Sequence, residues 1–135
     1  MKHSKGFTMI ELIVTLAVLA ILVAIAIPTY NGLMPRYRLN GAARQVATDL
    51  MKARMQAVKL STNVTVTFTT TGYTISGGSY SETFNIQSQY PGVSIPTTGG
   101  PQFHPRGTAA STFTVTLTNS SGSKDIEVNI AGRVK

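Results

Sequence analysis

Gly6-Phe7-Thr8-Met9-Ile10-Glu11-Leu12-Ile13-Val14-Thr15-Leu16-Ala17-Val18-Leu19-Ala20-Ile21-Leu22-Val23-Ala24-Ile25-Ala26-Ile27-Pro28-Thr29-Tyr30 is the stretch that decides the fold. From Phe7 to Ile27 it runs 21 residues, interrupted by a single charge, Glu11. A helix needs about 20 apolar residues to cross the hydrocarbon. The preceding Met1 to Gly6 (MKHSKG) is short and basic, so a secretory signal peptide is the rival reading. Ala24 and Ala26 make only a weak A-x-A site, one that would open a mature chain on Ile27-Pro28, and Glu11 is out of place in a neutral h-region. Retention of the segment is the better reading. An isolated carboxylate within a spanning helix costs about 2.5–3.5 kcal/mol. Glu11 therefore either stays hydrated near the interface or meets a cation on another chain.

Beyond the apolar run, Pro28, Gly32 and Pro35 are three weak points for a helix. The helix either ends at Ile27 or bends and continues. Continuation is favoured because Leu39, Ala42, Ala43, Val46, Leu50, Ala53, Ala57 and Leu60 recur at three- and four-residue steps. Arg38, Gln45, Asp49, Lys52, Gln56 and Lys59 fall largely between them and read as a solvated face. A helix from Phe7 to about Leu60 would be ~80 Å long, with an apolar stripe on its second half for a head to pack on.

From Asn63 the period changes to two. Val64, Val66 and Phe68 alternate with threonines, and the pattern returns at Phe113, Val115 and Leu117 and at Ile126, Val128 and Ile130. Tyr73 to Ser76, Thr83 to Ile86 and Val93 to Ile95 are shorter candidates. Turn signals separate them: Thr71-Gly72, Gly77-Gly78, Pro91-Gly92, Thr98 to Pro101 and Asn119 to Gly122. The fold class is α+β: a long N-terminal helix, half transmembrane and half amphipathic, packed against an antiparallel head of one or two sheets. The parts are a leader at 1–6, a transmembrane helix at 7–35 and a head at 36–135.

The head offers little for catalysis. Cysteine is absent, which removes disulfides and thiolate chemistry. His104 is the only histidine after the leader's His3, so no metal-ligand spacing exists. His104, Asp125 and a serine make a triad on paper only, without a nucleophile elbow or oxyanion loop. We expect no enzyme, no metal and no cofactor. Asn63-Val64-Thr65 and Asn119-Ser120-Ser121 match the glycosylation sequon and are given no role. The five methionines read as core or membrane contacts.

Twelve Lys and Arg oppose five Asp and Glu, a formal charge of +7, which favours anionic partners. In the head, Arg106, Lys124, Arg133 and Lys135 are candidates for nucleic-acid contact. Arg106 lies in a Pro-Arg-Gly turn, and Arg133 and Lys135 share one face of an extended segment. The alternative is a set of solvated cations. Upstream, Arg44, Lys52, Arg54 and Lys59 read as a solvated helix face.

The Gly6–Tyr30 stretch resembles the N-terminal motif of type IV pilins and type II secretion pseudopilins. The resemblance implies cleavage after Gly6 by a prepilin peptidase, N-methylation of the new terminal Phe7, and neutralisation by Glu11 of the Phe7 amine on a neighbouring subunit. It also implies a single pass through a bacterial inner membrane with the head in the periplasm. Cations flank the helix on both sides, Lys2 and Lys5 against Arg36, Arg38 and Arg44, so orientation rests on the family alone. Phe103-His104-Pro105-Arg106-Gly107 and Ile130-Ala131-Gly132-Arg133-Val134-Lys135 look like the C-terminal half of the GspH/FimT family of minor pilins. That family includes a secretion pseudopilin and a minor pilin that binds DNA through Gly-Arg-x-Arg. Here Lys135 replaces the last arginine, keeping the charge and losing the planar fork. The resemblance implies a minor subunit of a type IV pilus or related pseudopilus, partnered by other pilin or pseudopilin subunits and, through the basic head, by DNA. A type II secretion pseudopilin working through protein contacts and a major structural pilin are the alternatives.

Overall fold

The computed structural model describes residues 6–135, with the side chains of Pro28, Thr29 and Asn31 excepted. The leader read at 1–6, with Lys2, His3 and Lys5, lies outside the described residues apart from Gly6. The chain divides into two compact units, one ending at Met34 and one comprising Pro35–Lys135.

Helix α1 (Met9–Leu60) is continuous, so Pro28, Gly32 and Pro35 do not end it. In the first unit, Met9–Ile27 is 19 residues long with mean hydropathy 3.0 and none of it buried, long and apolar enough to cross a membrane. Its start has a local cause. The Thr8 hydroxyl accepts a 3.3 Å hydrogen bond from the Glu11 amide, so Thr8-Met9-Ile10-Glu11 carries the S/T-x-x-E signature of a capped helix N-terminus. In the second unit, α1 stops at Leu60. Ser61 enters the left-handed region at φ 52, and Thr62 donates to the Ala57 carbonyl at 3.3 Å while Ser61 donates to that of Val58 at 3.3 Å. These are the paired bonds of a Schellman terminus.

The head holds two sheets, which resolves the choice between one and two. Strands β1 (Val64–Thr69), β2 (Gly72–Gly77), β3 (Tyr80–Asn85) and β4 (Gln102–Phe103) form the first, in the order β3-β2-β1-β4. Strands β5 (Phe113–Asn119) and β6 (Gly122–Val128) form the second as a hairpin. Both cover the apolar stripe of α1. Leu39, Ala42, Ala43, Val46, Leu50, Ala53 and Ala57 are buried with Val64, Val66, Phe68 and Ile75 of the first sheet and Val115, Leu117, Ile126 and Val128 of the second. Each fully buried Val, Leu or Ile contributes about 1.5–3 kcal/mol, and the alanines let the backbones approach.

Five expectations need correction. Val93 and Ile95 are buried but form no strand: only Ser94 pairs, exchanging two 2.9 Å bonds with Thr118. Pro96 has no amide hydrogen to extend that pairing. Ile86 leaves its strand to open a short helix, α2 (Ile86–Gln89), whose first turn is capped by the Asn85 side chain accepting from the Ser88 amide at 3.0 Å. Ile130 is 62% exposed, because β6 ends at Val128 and the chain turns back. Met51 and Met55 lie on the exposed side of α1, not in the core.

Asp49 is the fifth. It is 5% exposed, since it stands three residues after Val46 and four before Ala53, on the stripe itself. Its carboxyl group accepts from the Tyr73 hydroxyl and from Gln45 Nε2 at 2.9 Å. Tyr73 in turn packs between Phe68 and Phe84, with ring centroids 5.4 and 5.1 Å away. Burial and then the hydrogen bond to Asp49 push the Tyr73 phenol well above its ordinary range. A raised folded-state value means this contribution is complete below the unfolded pKa of about 10 and fades as pH climbs past it. The melting temperature should therefore fall above about pH 10, more steeply in the wild type than in Tyr73→Phe. At neutral pH Tyr73→Phe should itself cost about 1–3 kcal/mol, because Asp49 loses a donor in a buried site. Melts across pH 7–11.5 check both statements.

Candidate functional site

Two turns of one design bring the sequence-predicted C-terminal residues together. In the first, the Gly107 amide donates to the His104 carbonyl at 2.8 Å and the His104 amide to that of Thr108 at 2.8 Å. Pro105 presets the second turn position, and Gly107 takes the left-handed one at φ 78. In the second, the Gly132 amide donates to the Asn129 carbonyl at 2.8 Å and the Asn129 amide to that of Arg133 at 3.0 Å. Gly132 stands at φ 74. Each is a type I turn closed by a glycine, a common hairpin connection.

The turns meet over one side chain of α1. Arg54 donates from Nε to the Gly107 carbonyl at 2.7 Å. A Cβ built on Gly132 would stand 2.2 Å from that same carbonyl oxygen and 3.0 Å from Arg54 Nε. Arg54, read as part of a solvated face, is therefore the post on which both turns rest. Its signal in the sequence was slight: one more cation on a helix face, four residues before Val58.

Arg106 and Arg133 are exposed, each one residue from a meeting glycine. Arg133 holds the turn through its backbone alone, its amide donating to Asn129 Oδ1 at 2.9 Å. After it the chain returns along β6. The Glu127 amide donates to the Lys135 carbonyl at 3.0 Å, and the Lys135 amide donates to that of Glu127 at 2.9 Å. Lys135 thus stands directly across from an acid and on its face of the sheet.

Lys124 is elsewhere. It lines a hollow with Arg36, Leu39, Asn40, Ser121 and Ser123, and Arg36 lies about 27 Å along α1 from Arg54 at 1.5 Å per residue. The four head cations are therefore not one patch. Beside Arg106 there is instead a groove of about 540 Å³ lined by Met51, Arg54, Met55, Val58, Lys59, Arg106 and Gly107. Lys52 is engaged separately, 2.6 Å from Glu82, which also accepts from the Tyr80 hydroxyl. At the other end of the chain, Gly6 and Phe7 precede the helix and are exposed, and Glu11 sits in its first turn.

The sequence model described as Type II transport protein GspH matches residues 42–132, a span containing both sheets and both turns. The chain belongs to the GspH family. The Prokaryotic N-terminal methylation motif matches residues 1–27. Two fimbrial proteins of Pseudomonas aeruginosa are 45% identical over 47 residues, covering 35% of this chain and 30% of theirs. The match thus spans less than a third of the length of those curated relatives. No solved structure matches. This GspH-family chain is a type IV pilin-like protein, of a class of structural subunits and not of enzymes.

Proposed function

We infer that the chain is a minor subunit of a type IV pilus-type filament, the class that includes secretion pseudopili. One observation carries this reading: a methylation-motif segment leads into an apolar helix of membrane-spanning length, which continues into a GspH-family head. The apolar helix holds the subunit in the bacterial inner membrane as a single pass, with the head in the periplasm, until it is extracted into a helical bundle of pilin subunits. A prepilin peptidase cutting after Gly6 frees the Phe7 amine, and methylation marks it. Intact-mass measurement on membrane-extracted protein should find Met1 to Gly6 removed and one methyl group added at Phe7. A mature chain beginning near Ile27 would remove the membrane helix and, with it, the filament reading.

A second reading, DNA contact by the head, draws support from the convergence of the Arg106 and Arg133 turns over Arg54 with Lys59 near. It gives those two arginines the main role, Lys135 a reduced one opposite Glu127, and Lys124 none in the same contact. Binding to duplex DNA would be weak, ~10⁻⁴–10⁻⁶ M, and would fall steeply with salt. Arg106→Gln with Arg133→Gln should flatten the salt slope by about two units, while Lys124→Gln leaves it unchanged. Since Arg133 holds its turn through backbone atoms, the melt should move by less than about 0.5 kcal/mol. Titrations at two salt concentrations decide; no binding at low salt would leave the head to protein contacts.

A further inference from the structure

The last turns of α1 are apolar on two sides. Leu50, Ala53 and Ala57 face the core, while Met51, Met55 and Val58, at 48%, 71% and 50% exposure, form a second stripe facing outward. Positions i, i+4 and i+7 share one helix face. Lys52, Arg54, Gln56 and Lys59 keep the rest of this surface polar, so the three outward side chains form a polar-rimmed apolar strip of the kind found at interaction sites. The Arg106–Gly107 turn raises a wall beside it, and that wall is held in place by the 2.7 Å bond from Arg54 to the Gly107 carbonyl. The groove between stripe and wall is preformed. Arg54, Lys59 and Arg106 are its only charged lining residues, and no acid is among them.

We propose that this groove receives an amphipathic helix of another protein, one whose apolar row is flanked by Asp or Glu. The proposal rests on the filament reading, and names the kind of neighbour the head meets there. Charge decides the partner's acids. A row of helix side chains fits a strip of Met and Val beside a fixed wall, and methionine adapts readily to such rows. Nucleic acid fits less well: burying phosphate against Met51, Met55 and Val58 gains nothing, and no aromatic ring in the lining can stack a base. A second copy of this chain lacks the required element. Its described helices carry only Glu11 and Asp49 as acids, and Asp49 is buried.

The test uses the full chain in nanodiscs of zwitterionic lipid and a labelled helical peptide of about 18 residues, with a leucine row flanked by glutamates. Anisotropy titrations should show binding that weakens about tenfold when the peptide's glutamates become glutamines, and about tenfold again for Met55→Asp in the chain. Arg106→Glu should lose the glutamate peptide and gain a lysine-flanked version of it. Met55 is largely exposed, so the fold survives its substitution; Met55→Gln and a thermal melt check that. Equal binding of the glutamate and glutamine peptides, or no effect of Met55→Asp, overturns the proposal. So does duplex DNA binding, or self-association of the chain, that Met55→Asp abolishes. Wild-type chain absent from sheared filaments would instead strike the filament reading, whatever the peptide does.

Discussion

Gly132→Ala should cost the head about 2–5 kcal/mol, the largest single-residue effect on stability expected here. Two terms add. An L-residue in the left-handed region at φ 74 costs about 1–2 kcal/mol. A methyl group 2.2 Å from the Gly107 carbonyl oxygen forces two backbones apart, an overpacking cost of about 1–3 kcal/mol. Arg54 is 3.0 Å from the same methyl position, so the bond that holds the first turn moves as well. For a domain of this size the melting temperature should drop by more than about 10 °C. Gly99→Ala is the control. Gly99 has φ 78 with open space around it, so it carries the strain without the clash and should cost only about 1–2 kcal/mol. Thermal unfolding of the two variants side by side isolates the collision between the turns; equal losses would show that the contact yields freely.

Glu11→Ala should leave membrane insertion intact and remove the chain from filaments. Insertion improves because the helix becomes more apolar. If Glu11 pairs with the Phe7 amine of a neighbouring subunit, assembly fails because that amine is left buried without its counter-charge, a cost of about 3–5 kcal/mol, or more than about a hundredfold in an equilibrium at 1.4 kcal/mol per tenfold. The Thr8 cap supplies a competing explanation, since a glutamate at this position also suits a helix start. Glu11→Gln separates the two. Glutamine serves the cap as well as glutamate does, yet carries no charge. If the role is charge pairing with Phe7, Gln is excluded from filaments like Ala; if the role is capping, Gln assembles and Ala does not. Sheared-filament fractions and membrane fractions of all three chains supply the measurement.

Much of the architecture is legible from residue spacing. The period of 3.6 picks out the stripe from Leu39 to Ala57, and the period of two picks out β1 and β5 with their buried Val, Phe and Leu. What spacing misses is instructive. Asp49 sits at a stripe position, but its polarity hides it; Gln45 one turn earlier and the hydroxyl of Tyr73, 24 residues later, together make its burial tolerable. Ile130 keeps the alternation of β6 by one coincidental residue, while Asn129 and Gly132 around it carry the turn. The two-residue β4 is too short for any periodicity, and exists because β1 has an open edge beside it. At the candidate site, the first turn is legible as Pro105-Arg106-Gly107, whereas the second falls where the alternation of β6 points to strand through Ile130. The meeting of the two is not legible, because it depends on Arg54, more than fifty residues away from Gly107.

The strand order also carries a kinetic consequence. β1, β2 and β3 pair with their neighbours in sequence, as do β5 and β6, and such hairpins close in about 1–10 μs. The pairing of β1 with β4 joins Thr65 to Gln102, 37 residues apart. Loop-closure entropy is lost before that contact forms, so among the strand pairings of the head the slow one is the arrival of β4 at β1. Until then one edge of Val64, Val66 and Phe68 stands open. An incompletely folded head is therefore most prone to aggregate through the open edge of β1.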